Sequence, residues 1–148
     1  MKISKKCRYG LRALIDLSAN SVNEYIVLGN IAERNNISPQ YLEQVFADLR
    51  RAGIVKGING AQGGYRLNIA PDELTVAAIL EALDGNYHID KEDESDNTHG
   101  HSIAVSIQEL VIDRINAELD RTLQNVTLED LRKHYLSHKE FEQDMYYI

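Results

Sequence analysis

Residues 28–67 read LGNIAERNNISPQYLEQVFADLRRAGIVKGINGAQGGYRL, and the spacing of apolar residues changes twice along them. Leu28, Ile31 and Ala32 form the buried side of a short helix, and Asn35-Asn36 supplies turn residues behind it. Ser38 is a good N-cap, and Pro39 suits the first helical position because its missing N–H would be unpaired there anyway. Leu42, Val45, Phe46 and Leu49 then fall at i, i+3, i+4 and i+7, one apolar stripe of a second helix. Gly53 stands where a left-handed C-cap residue belongs. Residues 54–58 read as a strand, Asn59-Gly60 is a hairpin signal, Gly63-Gly64 permits a tight loop, and Tyr65, Leu67 and Ile69 alternate as a return strand.

Two short helices followed at once by a glycine-rich hairpin is the order of a winged helix-turn-helix, which reads DNA with its second helix and a β-wing. At about 100° per residue, the face opposite the stripe carries Gln40, Glu43, Gln44, Ala47 and Arg51. Amides, a carboxylate and a guanidinium are the groups that read base edges. An ordinary solvated face is the alternative for the helix taken alone. A phosphate-binding loop is a poor reading of the glycines, because no Gly-Lys-Ser/Thr follows and no helix opens after them.

The chain has 148 residues, enough for one domain with one real core. It shows no apolar run long enough to span a bilayer and no signal-peptide layout, and its single cysteine, Cys7, fits a reducing cytoplasm. A net charge of −7 is unexpected for a DNA binder, but it is unevenly spread. Residues 1–70 hold 10 Lys/Arg against 5 Asp/Glu, and residues 71–148 hold 6 against 18. A basic half can face phosphates while an acidic half points away.

Lys2, Lys5, Lys6 and Arg8 precede a helix with Leu11, Leu14, Ile15 and Ser18 along one side, and Ser4 is its expected N-cap. Cations at a helix N-terminus oppose the macrodipole, so phosphate contact explains them better than helix stability does. A solubilising basic end is the alternative. Cys7 reads as a packing residue, with redox sensing the lesser alternative, since Lys6 and Arg8 would favour a thiolate. Thr75 caps a core helix with Val76, Ile79, Leu80 and Leu83, and Asp84-Gly85 ends it. Residues 84–102 form an acidic loop, six Asp/Glu against one Lys, and are expected to be mobile. His88, His99 and His101 lack firm zinc-ligand spacing, so a solvated loop is preferred. Residues 102–125 read as one long helix whose stripe, Ile103, Ile107, Leu110, Val111, Ile115, Leu119 and Leu123, drifts around the axis. A dimer seam is favoured over a core helix. Thr127-x-x-Asp130 opens a last short helix with Leu128, Leu131 and Tyr135 apolar. The final residues, Asp144-Met145-Tyr146-Tyr147-Ile148, are apolar after a polar run, which a free tail seldom is.

The opening MKISKKCRYGLRALIDLS, the core SPQYLEQVFADLRRAGIV and the wing NGAQGGYRL resemble the Rrf-type winged-helix transcriptional regulators over nearly the whole chain. The resemblance implies phosphate contact by the N-terminal region and dimerisation by the long helix, hence a near-palindromic double-stranded DNA operator read by a homodimer. In the iron–sulfur members of that family the acidic loop carries three cysteine ligands. Here it has none, so no cluster and no other cofactor is expected. Many members place Arg in the wing where this chain has Asn59. Asn can still read minor-groove acceptors but brings no charge, which shifts weight to Lys56, Arg51, Arg66 and the N-terminal lysines. The tail resembles the aromatic-aromatic-Ile end of the family's cysteine-metabolism repressors, which implies cysteine synthase (O-acetylserine sulfhydrylase) as a partner held by Tyr146, Tyr147 and Ile148. A tail folded back on its own dimer is the alternative.

The expected architecture is mainly α with a small β-wing. Residues 1–84 form the DNA-binding domain, 85–101 the acidic loop, 102–137 the dimerisation helix and a short C-terminal helix, and 138–148 a tail. DNA contacts are assigned to Lys2, Ser4, Lys5, Lys6, Arg8, Ser38, Gln40, Tyr41, Glu43, Gln44, Arg51, Lys56, Asn59, Gly60 and Gln62, and the dimer seam to Ile103, Ile107, Leu110, Val111, Ile115 and Leu119. The expected function is a cluster-free repressor. The alternatives are a protein-binding module and a redox- or metal-responsive regulator of another gene set. An enzyme has no support, since no nucleophile–base pair, phosphate loop or metal-ligand motif stands out.

Overall fold

The computed structural model describes residues 2–20, 24–58, 63–93 and 100–146. Its elements run α1 (Lys5–Asn20), α2 (Leu28–Asn35), α3 (Pro39–Arg51), β1 (Val55–Gly57), β2 (Tyr65–Leu67), α4 (Val76–Asp84), α5 (Gly100–Ile107), a π-helical turn (Gln108–Ile112), α6 (Asp113–Asn125) and α7 (Leu128–Tyr146). The strands pair antiparallel with Val55 opposite Leu67 and Gly57 opposite Tyr65. The chain is mainly helical with one small wing, as its periodicities predict.

Local chemistry sets the boundaries. Ser4 Oγ accepts from Cys7 N–H at 3.0 Å, Ser38 Oγ from Tyr41 N–H at 3.5 Å, and Thr75 Oγ1 from Ala78 N–H at 3.1 Å. Each satisfies a donor that the first helical turn leaves unpaired. Asn36 closes α2 at φ 53°, and Gly53 follows α3 at φ 77°. Ile54 N–H then donates to Leu49 C=O at 2.9 Å, the longer bond of a Schellman ending. Thr127 and Asp130 exchange bonds of 3.0 and 3.1 Å, a full capping box.

The core lies between α1, α2, α3 and α4 and holds Leu14, Leu17, Ile31, Leu42, Val45, Phe46, Leu49, Ile79 and Leu80, each at most 2% exposed. Truncating Phe46 to Ala would cost about 3–5 kcal/mol at such a site. The buried face of α1 is Cys7, Gly10, Ala13, Leu14, Leu17 and Ser18, while Leu11 and Ile15 flank it half-buried. A Cβ at Gly10 would strike the Leu83 side chain of α4, so α1 and α4 approach closely there.

Three expectations need correction. First, the long helix is continuous but not uniformly α. Asp113 N–H donates to Gln108 C=O, five residues back, so the extra residue shifts the phase of the stripe. Its first part stays exposed, with Ile103 65%, Leu110 58% and Val111 49%, whereas Leu119 and Leu123 are partly buried against the core. Second, residues 138–146 are not a tail but the end of α7. No Gly or Pro interrupts that segment, so nothing ends the helix once its capping box has started it. Leu128 is fully buried, and Arg132 Nε donates to Ser18 C=O at 3.1 Å, which packs α7 onto α1. Third, the start of the acidic loop is pinned. Asn116 makes two bonds to the Ile89 backbone, and Glu92 N–H donates to Gln108 Oε1 at 2.8 Å. Acidity alone is a poor guide where the partner side chains are amides on another helix.

Candidate nucleic-acid interface

α3 turns Leu42, Val45, Phe46 and Leu49 inward, which leaves Gln40, Glu43, Gln44 and Ala47 exposed on the other side. Beside it runs the wing. Tyr65 N–H donates to Ile26 C=O at 2.8 Å and Ile26 N–H to Tyr65 C=O at 2.9 Å, which docks the returning strand on the segment before α2. Tyr65 packs on Phe46 with ring centroids 5.0 Å apart. Gly64 is required at this crossing, since a Cβ would lie 2.6 Å from Ile26 oxygen. Between α3, the start of α2 and the wing lies a cleft of about 470 Å³ lined by Leu28, Gly29, Glu43, Arg50, Ile58 and Gly63, among others.

Arg50, absent from the expected DNA contacts, is exposed and lines this cleft. It follows Glu43 by seven residues, and that spacing puts both on one side of α3. Arg51 and Lys6 sit differently from what their charge suggests. Asp48 accepts from Arg51 at 2.7 Å through one oxygen and from Lys6 of α1 through the other. Lys2, Lys5 and Arg8 are exposed. Lys5 and Arg12 lie over the Tyr9 ring at 5.4 and 5.7 Å, and Tyr9 meets Tyr41 edge-on at 5.6 Å. Tyr41 is thus half-buried as well as close to the exposed face. Ser4 Oγ is committed to Asp84 at 2.8 Å and to its capping bond. Lys56 is half-buried on β1, and Arg66 stacks over Tyr25 at 5.0 Å. Asn59, Gly60 and Gln62 lie outside the described residues.

Cys7 is fully buried, and its thiol is pushed up to about 11, chiefly by burial and then by its bond to Asp84. The flanking cations therefore do not make it a thiolate. Among the described residues, no three of His, Cys, Asp or Glu converge as metal ligands would. His88 instead lies 2.7 Å from Asp120, and His101 is exposed. His99 lies outside the described residues. No described helix is long and apolar enough to cross a membrane.

Residues 3–134 match Rrf2, the family described as iron-dependent transcriptional regulators. The chain belongs to the Rrf2 family. It is 36% identical over 148 residues to the HTH-type transcriptional regulator CymR of Bacillus subtilis, covering the full length of both. The HTH-type transcriptional regulator IscR of Aliivibrio salmonicida is 42% identical over 84 residues, which are 57% of this chain and 50% of that protein. The solved structure of CymR, the global cysteine regulator of B. subtilis, superposes with a TM-score of 0.76 at 38% identity, covering 90% of this chain and 98% of that one. This Rrf2 chain is therefore a transcriptional regulator of the CymR and IscR type, and its relatives and fold are those of regulators rather than enzymes.

Proposed function

We propose that this Rrf2 protein is a dimeric, sequence-specific DNA-binding repressor that works without an iron–sulfur cluster and controls genes of cysteine and sulfur metabolism. The observation that carries the DNA reading is the exposed Gln40, Glu43 and Gln44 face on a capped helix, flanked by a docked wing and by the exposed cations Lys2, Lys5 and Arg8. Gln suits adenine and Glu accepts from cytosine, while the basic end supplies phosphate contacts that set register. Two such helices in a dimer match two half-sites, hence a near-palindromic operator. The exposed Ile103, Ile107, Leu110, Val111 and Ile115 support the long helix as the seam. A single cysteine, buried in α1, supports the absence of a cluster, because such clusters are held by several thiolates.

The gene set and partner rest on likeness to CymR and to the tail of the cysteine-metabolism repressors. Phe141, Met145 and Tyr146 of α7 are exposed, the last at 89%, while Tyr147 and Ile148 lie outside the described residues. An Ile side chain seated in the apolar part of a substrate pocket would dock this segment on cysteine synthase. O-acetylserine would then compete for that pocket and report sulfur supply.

Sequencing the genomic fragments that the protein retains tests the first part. A shared near-palindromic motif upstream of sulfur-metabolism genes is expected, and retention of random fragments contradicts it. Calorimetric titration with the cognate synthase tests the second. Deleting Ile148 is expected to abolish binding and leave the dimer intact, and unchanged affinity would remove the synthase from the account.

A further inference from the structure

Asp48 lies one turn before Arg51 on α3 and faces α1. One carboxylate oxygen accepts from Lys6 and the other from Arg51 Nη2 at 2.7 Å. The Asp48 side chain is 18% exposed, against 33% for Lys6 and 78% for Arg51. The Lys6 ammonium beside it holds its carboxyl below the ordinary carboxylate range, so it stays ionised at neutral pH. Helix stability does not account for an acid here. A carboxylate in the last turn opposes the macrodipole, and an i,i+3 pair with an exposed Arg contributes little. Arg51 belongs to the exposed side of α3 and Lys6 of α1 meets it at the shared carboxylate, and two cations held by one carboxylate present one net positive charge instead of two.

We propose that Asp48 is an internal competitor for DNA phosphate: it holds Lys6 and Arg51 in the free protein, so a duplex backbone must share or displace its carboxylate to use them. This rests on the DNA-binding reading above. The competition weighs most on non-specific binding, which is almost entirely electrostatic. A specific complex has base contacts to set against it, through the Gln40 and Gln44 amides. Asp48 therefore trades total affinity for discrimination between operator and random duplex.

The test is the salt dependence of binding to a random duplex and to a retained genomic fragment. Each cation engaged on phosphate adds about 0.9 to the slope of log Kobs against log salt. Asp48→Asn is expected to steepen the slope on random duplex by about one to two such increments, with affinity several-fold higher at low salt and the gain fading as salt rises. The operator-to-random ratio is expected to fall. In a Lys6→Gln/Arg51→Gln background the same Asp48→Asn change is expected to leave the slope unaltered, whereas a long-range charge effect would persist. Should Asp48→Asn not fold, the wild-type background decides. Lys5→Gln, at an exposed lysine with no acidic partner among the described residues, is expected to lower the slope by about one increment and Lys6→Gln by less than half of that. Equal losses, or an unchanged slope for Asp48→Asn, overturn the competitor while DNA binding stands. Failure of the wild-type protein to bind any duplex overturns both.

Discussion

The Tyr87 hydroxyl donates a 2.5 Å hydrogen bond to Asp120 Oδ1, tying the segment after α4 to the long helix across 33 residues. His88 Nε2 lies 2.7 Å from the same oxygen. Together with the Asn116 and Gln108 contacts, this straps the helical stripe to the end of α4. α4 in turn meets the N-terminus of α1 through Asp84 and Ser4. The strap is the physical link between the proposed seam and the proposed DNA face.

Tyr87, and after it His88, hold the Asp120 carboxyl below its ordinary range. A lowered folded-state pKa gives stability that is present above the unfolded value and lost as pH falls through the folded one. Tyr87→Phe is therefore expected to be less stable than wild type in urea at neutral pH, with the gap closing in acid. A gap that stays constant as Asp120 protonates would show that the bond does not depend on the carboxylate.

Burial and a thiol pushed up to about 11 predict that Cys7 is inert in the folded protein. A disulfide reagent at mildly alkaline pH should react far more slowly than with the denatured chain, because the folded thiol is both buried and seldom ionised. Fast stoichiometric labelling of folded protein would reopen redox sensing. The raised value also predicts that stability falls as pH climbs from 9.0 toward about 11, because the unfolded thiol ionises first.

Gly64 leaves no room for a side chain against Ile26. Gly64→Ala is expected to lift the wing off the segment before α2, weakening DNA binding while far-UV circular dichroism stays near wild type. Full affinity would mean that the wing position contributes nothing to binding.

Replacing Ile107 and Val111, which are 38% and 49% exposed, with Asp would place unpaired charge in the proposed seam. Sedimentation is expected to give monomers or aggregates. Intact dimers would move the interface elsewhere.

Much of this molecule was legible in its sequence. Ser38-Pro39, Gly53 and Thr127-x-x-Asp130 act locally, so their residue types suffice to place helix ends. The exposure of Gln40, Glu43 and Gln44 follows from 3.6-residue periodicity alone. What escaped depends on partners distant in sequence. Lys6 and Asp48 are 42 residues apart, and nothing in the basic run shows that one lysine is engaged. The pinned loop needs Asn116 and Gln108, whose amides look like ordinary surface residues. The π turn needs a hydrogen-bond shift that the stripe signalled only as drift. Arg50 was within reach, since its spacing from Glu43 is visible in the sequence, but the cleft it lines is formed by the wing.

Sequence-specific binding depends on the exposed face of α3 reading bases. Gln44→Ala, assayed on a retained operator fragment and on random duplex of equal length and salt, measures it most directly. A loss of about 1–3 kcal/mol on the operator is expected, with little change on random DNA. Equal losses on the two duplexes would contradict it.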